Sequence, residues 1–266
     1  NYFGLDSDHV YFFPQGTLPC FGEGGKLMLE SPEHLAQAAD GNGGLYPAMF
    51  NRGVMSLMKS KGIEYVQTIC VDNALVQPLD PSFMGLVLSS KADVGSLVVP
   101  KRDWSEPIGM LVQNNGKYAV AEYSDVSDAM KKEKDANGNL KFIAGNICVH
   151  AFSLDFLYKK VVPEYIQKII PANYHIARKQ IPVWNAAQGK TVKPSEKNGI
   201  KLEMFIFDVF PLADSMAILQ VDRSEQFSPV KNKPGPGVKD SPETALQMLG
   251  DLHAKWVKTA GAEISG

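Results

Sequence analysis

The order of segments along this 266-residue sequence predicts a mixed α/β fold, a sheet flanked by helices and carrying inserted β-hairpins. Three observations carry the prediction. Short β-branched or apolar runs alternate with segments whose apolar residues recur at helical spacing. Two Asn-Gly pairs, Asn115-Gly116 and Asn137-Gly138, mark tight turns between such runs. Composition, at 44% hydrophobic and 21% charged, is that of a globular chain of a length suited to one large domain, so residues 1–266 are read as one.

The elements follow in order. His9-Val10-Tyr11-Phe12-Phe13 is a short β-favouring run that stops at Pro14. Gly22-Glu23-Gly24-Gly25 precedes Lys26-Leu27-Met28-Leu29-Glu30, which alternates like a half-buried strand. Its glycines suggest a phosphate loop, but no GK[ST] or strand–loop–helix order follows, so a hairpin turn is the plainer reading. Residues 45–61 carry Leu45, Met49, Val54, Leu57 and Met58 at near-helical spacing, which predicts a helix. Residues 63–71, closed by Asp72-Asn73, read as a buried parallel strand and are expected to be central. Asp80 as N-cap and Pro81 at the first helical position predict a helix over 81–89. Residues 94–100 are strand-like, and 109–112 with 117–120 form a hairpin about Asn115-Gly116. A polar helix over 127–133 and the Asn137-Gly138 turn lead into the apolar segment 142–152. Leu202, Phe205, Ile206, Val209 and Phe210 share one helical stripe, 216–221 is a strand candidate, and 230–240 is a Pro-, Gly- and Lys-rich loop. Ser241-Pro242-Glu243 opens the last helix, with Leu246, Leu249, Leu252 and Trp256 on its apolar face.

Charge and pattern exclude several function classes. There are 27 Lys and Arg against 29 Asp and Glu, a net charge of -2, which argues against nucleic-acid binding through bulk positive charge. No stretch approaches the roughly 18 consecutive apolar residues of a membrane helix. The start, Asn1-Tyr2-Phe3-Gly4, has no basic n-region, no apolar h-region and no initiator Met, so a secretory signal is not expected and a piece of a longer chain is. Cys20, Cys70 and Cys148 form no CxxC, and the five histidines form no HExxH, so reduced thiols, a cytoplasmic location and no protein-built zinc centre are expected.

Several constellations are suited to chemistry. Asp40-Gly41-Asn42-Gly43-Gly44 stands just before a helix, where glycines admit a ligand to the backbone; an ordinary turn is the competing reading. Cys70-Val71-Asp72-Asn73 closes a strand, where an Asp is placed to hold a divalent metal or simply to cap a turn. Lys201 and Lys231 follow turn-forming stretches, and exposed lysines often only solvate a face. Glu122-Tyr123 and Ala144-Gly145-Asn146 put polar groups at strand ends, suited to a sugar or to nothing more than chain termination. Phe205 and Phe207 stand at i,i+2, so at least one must leave a helical core face.

Taken together and in order, these segments resemble the eukaryotic-type UDP-N-acetylglucosamine pyrophosphorylases, within the UDP-sugar pyrophosphorylase superfamily. The likeness rests on 12–19 (Phe-Phe-Pro-Gln-Gly-Thr-Leu-Pro), 40–46 (Asp-Gly-Asn-Gly-Gly-Leu-Tyr), 70–73, the shorter 122–124, 144–147, 198–203 and 225–232. It implies a mixed, mostly parallel Rossmann-like nucleotidyltransferase sheet. It also implies a uridylyltransferase that makes UDP-N-acetylglucosamine and pyrophosphate from UTP and N-acetylglucosamine 1-phosphate with Mg²⁺ (or Mn²⁺). By similarity, Gln15 and Gly41 contact uracil, and Asn42 lies beside the nucleotide-sugar. Asp72 serves the phosphates and metal, and Glu122, Tyr123 and Asn146 serve the sugar. Lys201 meets the UTP phosphates and Lys231 the sugar phosphate, with Asp72 and Lys201 as the catalytic pair, while Phe205 and Phe207 line the N-acetyl pocket. The family's Gly-rich loop with its basic residue, and its small C-terminal domain, have no counterpart in this sequence. The resemblance therefore implies the middle-to-late part of the enzyme, with little turnover alone. A UDP-glucose or broad UDP-sugar pyrophosphorylase, or a non-catalytic nucleotide-sugar-binding fragment, are the alternative readings.

Overall fold

The apolar segment expected at 142–152 becomes the strand on which the larger sheet is built, Ala144–Ser153. The computed structural model describes Tyr2, residues 4–169 and residues 174–264. Burial is nearly continuous along Ala144–Ser153, as a strand covered on both faces requires. One edge pairs antiparallel with Val94–Pro100, in the register Val94↔Phe152 and Val98↔Asn146 with a slip between Ser96 and Val98. Val94–Pro100 in turn pairs parallel with Met216–Gln220. The other edge is shared by Met110–Asn114, through Met110↔Gly145, and by Tyr65–Thr68, through Thr68↔His150. The hairpin partner Lys117–Ala121 completes the sheet. Asn115 and Gly116 both have positive φ, 49° and 76°, the pair of left-handed residues that a two-residue hairpin needs.

Helix Pro81–Ser90 covers one face, capped as expected by Asp80, whose Oδ1 accepts from Ser82 N at 2.8 Å. Phe83 and Val87 are wholly excluded from solvent and join Leu97, Val99, Ile147, Val149 and Ala217 in one core. Burial of each of these side chains larger than alanine contributes on the order of 1.5–3 kcal/mol. Helix Pro242–Thr259 begins in a capping box formed by Ser241 and Thr244. Its buried residues are Ala245 and Leu252, two turns apart, whereas Leu246 and Trp256 are exposed, so the apolar face is rotated from the expected one. These elements lie in the unit made of Glu64–Phe156 and Ala213–Gly266.

The second unit comprises Asn1–Ile63 and Leu157–Leu212. Here Gly199–Glu203 pairs antiparallel with Phe21–Gly22 and with His175–Lys179, and Thr17–Pro19 pairs with Gln37–Ala39. The turn over 22–25 is present, with Gly25 N donating to Gly22 O at 2.9 Å. The helix expected over 45–61 is two, Leu45–Asn51 and Val54–Ser60, because Gly53 takes φ 73° between them. Leu157–Ile169 is π-helical and buries Leu157, Val161 and Tyr165; the sequence offered no reading of it.

Several expectations are corrected. The mixed α/β sheet flanked by helices is present, but among the described ladders of that sheet only the one between Val94–Pro100 and Met216–Gln220 is parallel. The segment before Asp72 is a strand only over Tyr65–Thr68, half-buried, antiparallel and not central, because an apolar run does not encode the direction of its partner. Residues 9–13 form no strand: Ser7–His9 is a helical turn and Phe12 is 81% exposed, propensity without a covering ladder. Leu202 lies in strand Gly199–Glu203 and only Ile206–Leu212 is helical, because ladders on both edges of that strand override the 3.6-residue pattern.

Candidate functional site

In the unit that holds Gln15, the buried Asp40 organises the first cluster. Gln15 Nε2 donates to Asp40 Oδ1 at 2.6 Å and to the Gly41 carbonyl at 2.9 Å. With both amide hydrogens committed, Oε1 of this exposed side chain is left as an acceptor. Among the described residues, the neighbouring Gly41 N–H has no protein partner. Gly41 itself is required: its φ is 91°, and a Cβ there would stand 2.3 Å from the Met204 carbonyl oxygen.

That close approach zips loop 40–43 to segment 204–206. Met204 N donates to Asp40 O at 2.7 Å and Gly43 N to Met204 O at 2.9 Å. Asn42 Oδ1 accepts from Ile206 N at 2.9 Å, which leaves its amide nitrogen as a donor. The same segment carries Phe205, half-buried, and Phe207, buried, with ring centroids 5.2 Å apart, so one of the two leaves the core as expected. His175 stacks on Phe205 at 4.1 Å. Asp208 accepts from Phe205 N at 2.8 Å, from Tyr165 Oη at 3.0 Å and from His175 Nε2 at 2.8 Å. Burial, then the Asp208 carboxylate, pushes the Tyr165 phenol well above its ordinary value. Lys201 stands on Gly199–Glu203 with its ammonium 2.8 Å from Glu203 Oε1, two residues along the same strand face.

In the other unit, Asn73 ties two motifs together. Its Nδ2 donates to Gln226 O at 2.8 Å, and its Oδ1 accepts from Leu75 N at 3.2 Å and Ser228 N at 2.8 Å. Val230 N donates to Asp72 O at 2.8 Å, which sets Lys231 beside Asp72. The capping role weighed for Asp72-Asn73 thus belongs to Asn73. Among the described residues, the half-buried Asp72 carboxylate has no hydrogen-bond or ion-pair partner. Cys70 and Cys148 share a thiol hydrogen bond, which together with burial holds Cys148 well above its ordinary value. Lys231 and Asp72 act electrostatically on Cys70, and Lys231 and Glu122 on Cys148, so the three charges gather round this thiol pair. Buried Asn146 belongs to the same group, its Oδ1 accepting from Cys148 N at 3.1 Å and its backbone N donating to Gly109 O at 2.8 Å. Glu122 lies over Gly109, where a Cβ would meet its Oε1 at 2.9 Å, and Tyr123 is exposed.

The structure thus gathers Gln15, Gly41, Asn42, Phe205 and Phe207 in one unit and Asp72, Glu122, Asn146 and Lys231 in the other. Lys201 belongs to the first, paired with Glu203. Sequence reasoning missed Asp40, His175, Glu203 and Asp208 as organising groups; Asp40 and Glu203 at least stand in the short motifs 40–46 and 198–203, whereas His175 and Asp208 carried no signal. Among the described residues no three His, Cys, Asp or Glu form a metal cage. A magnesium ion completed by phosphate oxygens and water needs only one or two carboxylates, which is what an unpartnered Asp72 supplies.

Residues 1–235 match the family described as UTP–glucose-1-phosphate uridylyltransferase. The chain belongs to that family. It is 42% identical to the probable UDP-N-acetylglucosamine pyrophosphorylase of Dictyostelium discoideum, over 99% of this chain and 54% of that protein. It is likewise 42% identical to the UDP-N-acetylglucosamine pyrophosphorylase of Saccharomyces cerevisiae, over 98% and 54%. The chain therefore spans about half the length of these curated relatives. Among solved structures, the putative UDP-N-acetylglucosamine pyrophosphorylase of Entamoeba histolytica superposes with TM-score 0.87 at 35% identity, over 97% of this chain and 62% of that one. A UDP-glucose pyrophosphorylase of Leishmania major shares the fold at TM-score 0.64 and 17% identity, over 84% of this chain and 46% of that one. Among the described residues, no helix is long and apolar enough to cross a membrane.

Proposed function

We propose that the protein acts in uridylyl transfer, joining UTP and N-acetylglucosamine 1-phosphate into UDP-N-acetylglucosamine with release of pyrophosphate. The observation that carries this reading is the Gln15–Asp40–Gly41 arrangement. It offers an acceptor, Gln15 Oε1, beside a donor, the Gly41 N–H, held together by the bonds at 2.6 Å and 2.9 Å. The imide edge of uracil presents the complementary N–H and carbonyl, whereas the ring nitrogen of cytosine at the same place only accepts. The relatives named for UDP-N-acetylglucosamine, at 42% identity against 17% for the UDP-glucose enzyme, support the acetylated sugar.

Each further residue then has a task. Phe205 and Phe207 present an aromatic wall to the acetyl methyl group. Asn146 and Glu122 offer hydrogen bonds to sugar hydroxyls, with Tyr123 beside them, and Asn42 keeps a donor for the nucleotide-sugar. Asp72 would hold Mg²⁺ (or Mn²⁺), which when bound supplies charge neutralisation on the phosphates. Lys201, once released from Glu203, neutralises UTP phosphates and Lys231 the sugar phosphate. The oxygen of the sugar phosphate attacks the α-phosphorus of UTP as the bond to pyrophosphate breaks. It is already anionic, so positioning and charge suffice and no general base is needed. The three free thiols agree with a cytoplasmic setting.

The test is UTP-dependent pyrophosphate release with N-acetylglucosamine 1-phosphate or glucose 1-phosphate. It is run on the purified chain alone and with the family's Gly-rich loop segment supplied in trans. Release at least about tenfold faster with the acetylated sugar in the supplemented reaction supports the reading, since a pocket that fits a substituent discriminates by about that much. Equal or reversed rates, or none in either arrangement, would overturn it.

A further inference from the structure

The Asp208 carboxylate accepts three hydrogen bonds, one from the Phe205 backbone and two from the side chains of Tyr165 and His175. It takes the Phe205 N–H at 2.8 Å, the Tyr165 hydroxyl at 3.0 Å and His175 Nε2 at 2.8 Å. With Asp208 ionised, the shared hydrogen sits on Nε2, which fixes the plane of the imidazole. That plane lies 4.1 Å from the Phe205 ring at an angle of 29°, and Phe207 meets the same ring at 5.2 Å and 40°. The far end of the network is anchored in the core. Tyr165 packs edge-on against Tyr46 at 5.9 Å, and the Tyr46 hydroxyl donates to Ile206 O at 2.5 Å. Phe205 is therefore held through its backbone N–H and through one ring face by groups that nothing else in the mechanism uses.

We propose that His175 and Asp208 are positioning residues for sugar selectivity. They fix the Phe205 ring and thereby set how strongly the protein prefers a 2-acetamido sugar to a 2-hydroxy sugar. This rests on reading Phe205 as a wall of the N-acetyl pocket. A phenyl ring turns freely about its outer torsion unless packed on its faces. A methyl group gains most from an aromatic face held in place, because the ordering cost is met before the ligand arrives. Loss of the His175 stack leaves the ring present but unfixed.

The experiment measures dissociation constants of UDP-N-acetylglucosamine and UDP-glucose by titration calorimetry on the whole chain, and reports their ratio. His175→Ala is expected to shrink the ratio roughly two- to tenfold, the equivalent of one aromatic pair, with the loss confined to the acetylated ligand. His175→Phe keeps the stack without the hydrogen bond and is expected to restore at least half of the lost preference. Asp208→Asn, which keeps an acceptor for Phe205 N, is expected to fall between wild type and His175→Ala. Phe205→Ala separates the two layers of argument. If it abolishes the preference while His175→Ala leaves the ratio unchanged, the positioning role is overturned and the pocket reading stands. If Phe205→Ala also leaves the ratio unchanged, the pocket reading fails and takes the inference with it. A drop with His175→Ala that His175→Phe does not relieve overturns the stacking account. Should His175→Ala not fold by thermal melt, His175→Phe and Asp208→Asn decide, and wild-type ratios in both would overturn the proposal.

Discussion

Asn73→Ala is expected to destabilise the Glu64–Phe156 and Ala213–Gly266 unit far more than its small change in side-chain volume suggests. Asn73 is 3% exposed and makes three side-chain hydrogen bonds, donating to Gln226 O and accepting from Leu75 N and Ser228 N. Alanine removes the partner of each and brings none of its own, so two N–H groups and a carbonyl are stranded in a site where every one was satisfied. A typical bond contributes about 1 kcal/mol net, and an orphaned buried group costs about 1–3 kcal/mol. Allowing for water reaching one of the three, the loss comes to about 3 kcal/mol, a large fraction of an ordinary domain's stability. The assay is urea unfolding followed by tryptophan fluorescence and circular dichroism, with wild type and variant extrapolated to water. A change below about 1 kcal/mol would mean that these groups find water or new partners without cost, against the expected loss.

The neighbouring substitution should behave in the opposite way. Asp72→Ala is expected to leave urea stability within about 0.5 kcal/mol while abolishing the effect of Mg²⁺ on ligand binding; a retained magnesium effect counts against its role. Lys231→Ala is expected to weaken use of the sugar phosphate more than of UTP, and Lys201→Ala the reverse, each by about 1.5–3 kcal/mol for a charge-assisted bond. Equal losses on both substrates would mean the lysines act only through the general field. Burial holds the His150 imidazole down to about 3, below its ordinary 6.5, so the folded chain stays neutral where the unfolded chain takes a proton. Its contribution is whole above pH 6.5 and is lost as pH falls toward 3, about 2 kcal/mol by pH 5. His150→Gln is expected to flatten that slope in urea unfolding at pH 7 and 5, and identical slopes would contradict the assignment.

What the sequence showed depended on how local the controlling physics is. Asp80-Pro81, Ser241-Pro242 and Asn115-Gly116 act within a turn of themselves, and the helices and hairpin they announce are present. The strand at 94–100 has its expected bounds because its run of apolar residues is buried throughout all but its last position. Failure came where a distant partner decides. Nothing in 63–71 tells which way Ala144–Ser153 will run beside it, and nothing in 199–205 shows that His175–Lys179 and Phe21–Gly22 will claim it for a sheet. The site divides in the same way. Gln15, Gly41 and Asp72 are candidates that short motifs bring forward, whereas Asp208 takes its place from Tyr165 and His175, residues 43 and 33 positions away.

Under the proposed function, Gln15 and Gly41 read a uracil ring while Phe205 and Phe207 receive the acetyl group. A crystal structure of the chain soaked or grown with UDP-N-acetylglucosamine tests it most directly. The uracil N3–H is expected on Gln15 Oε1, a uracil carbonyl on the Gly41 N–H, and the acetyl methyl against the Phe205 ring. Uracil bound away from Gly41, or an acetyl group turned to solvent with Phe205 uncovered, would contradict it.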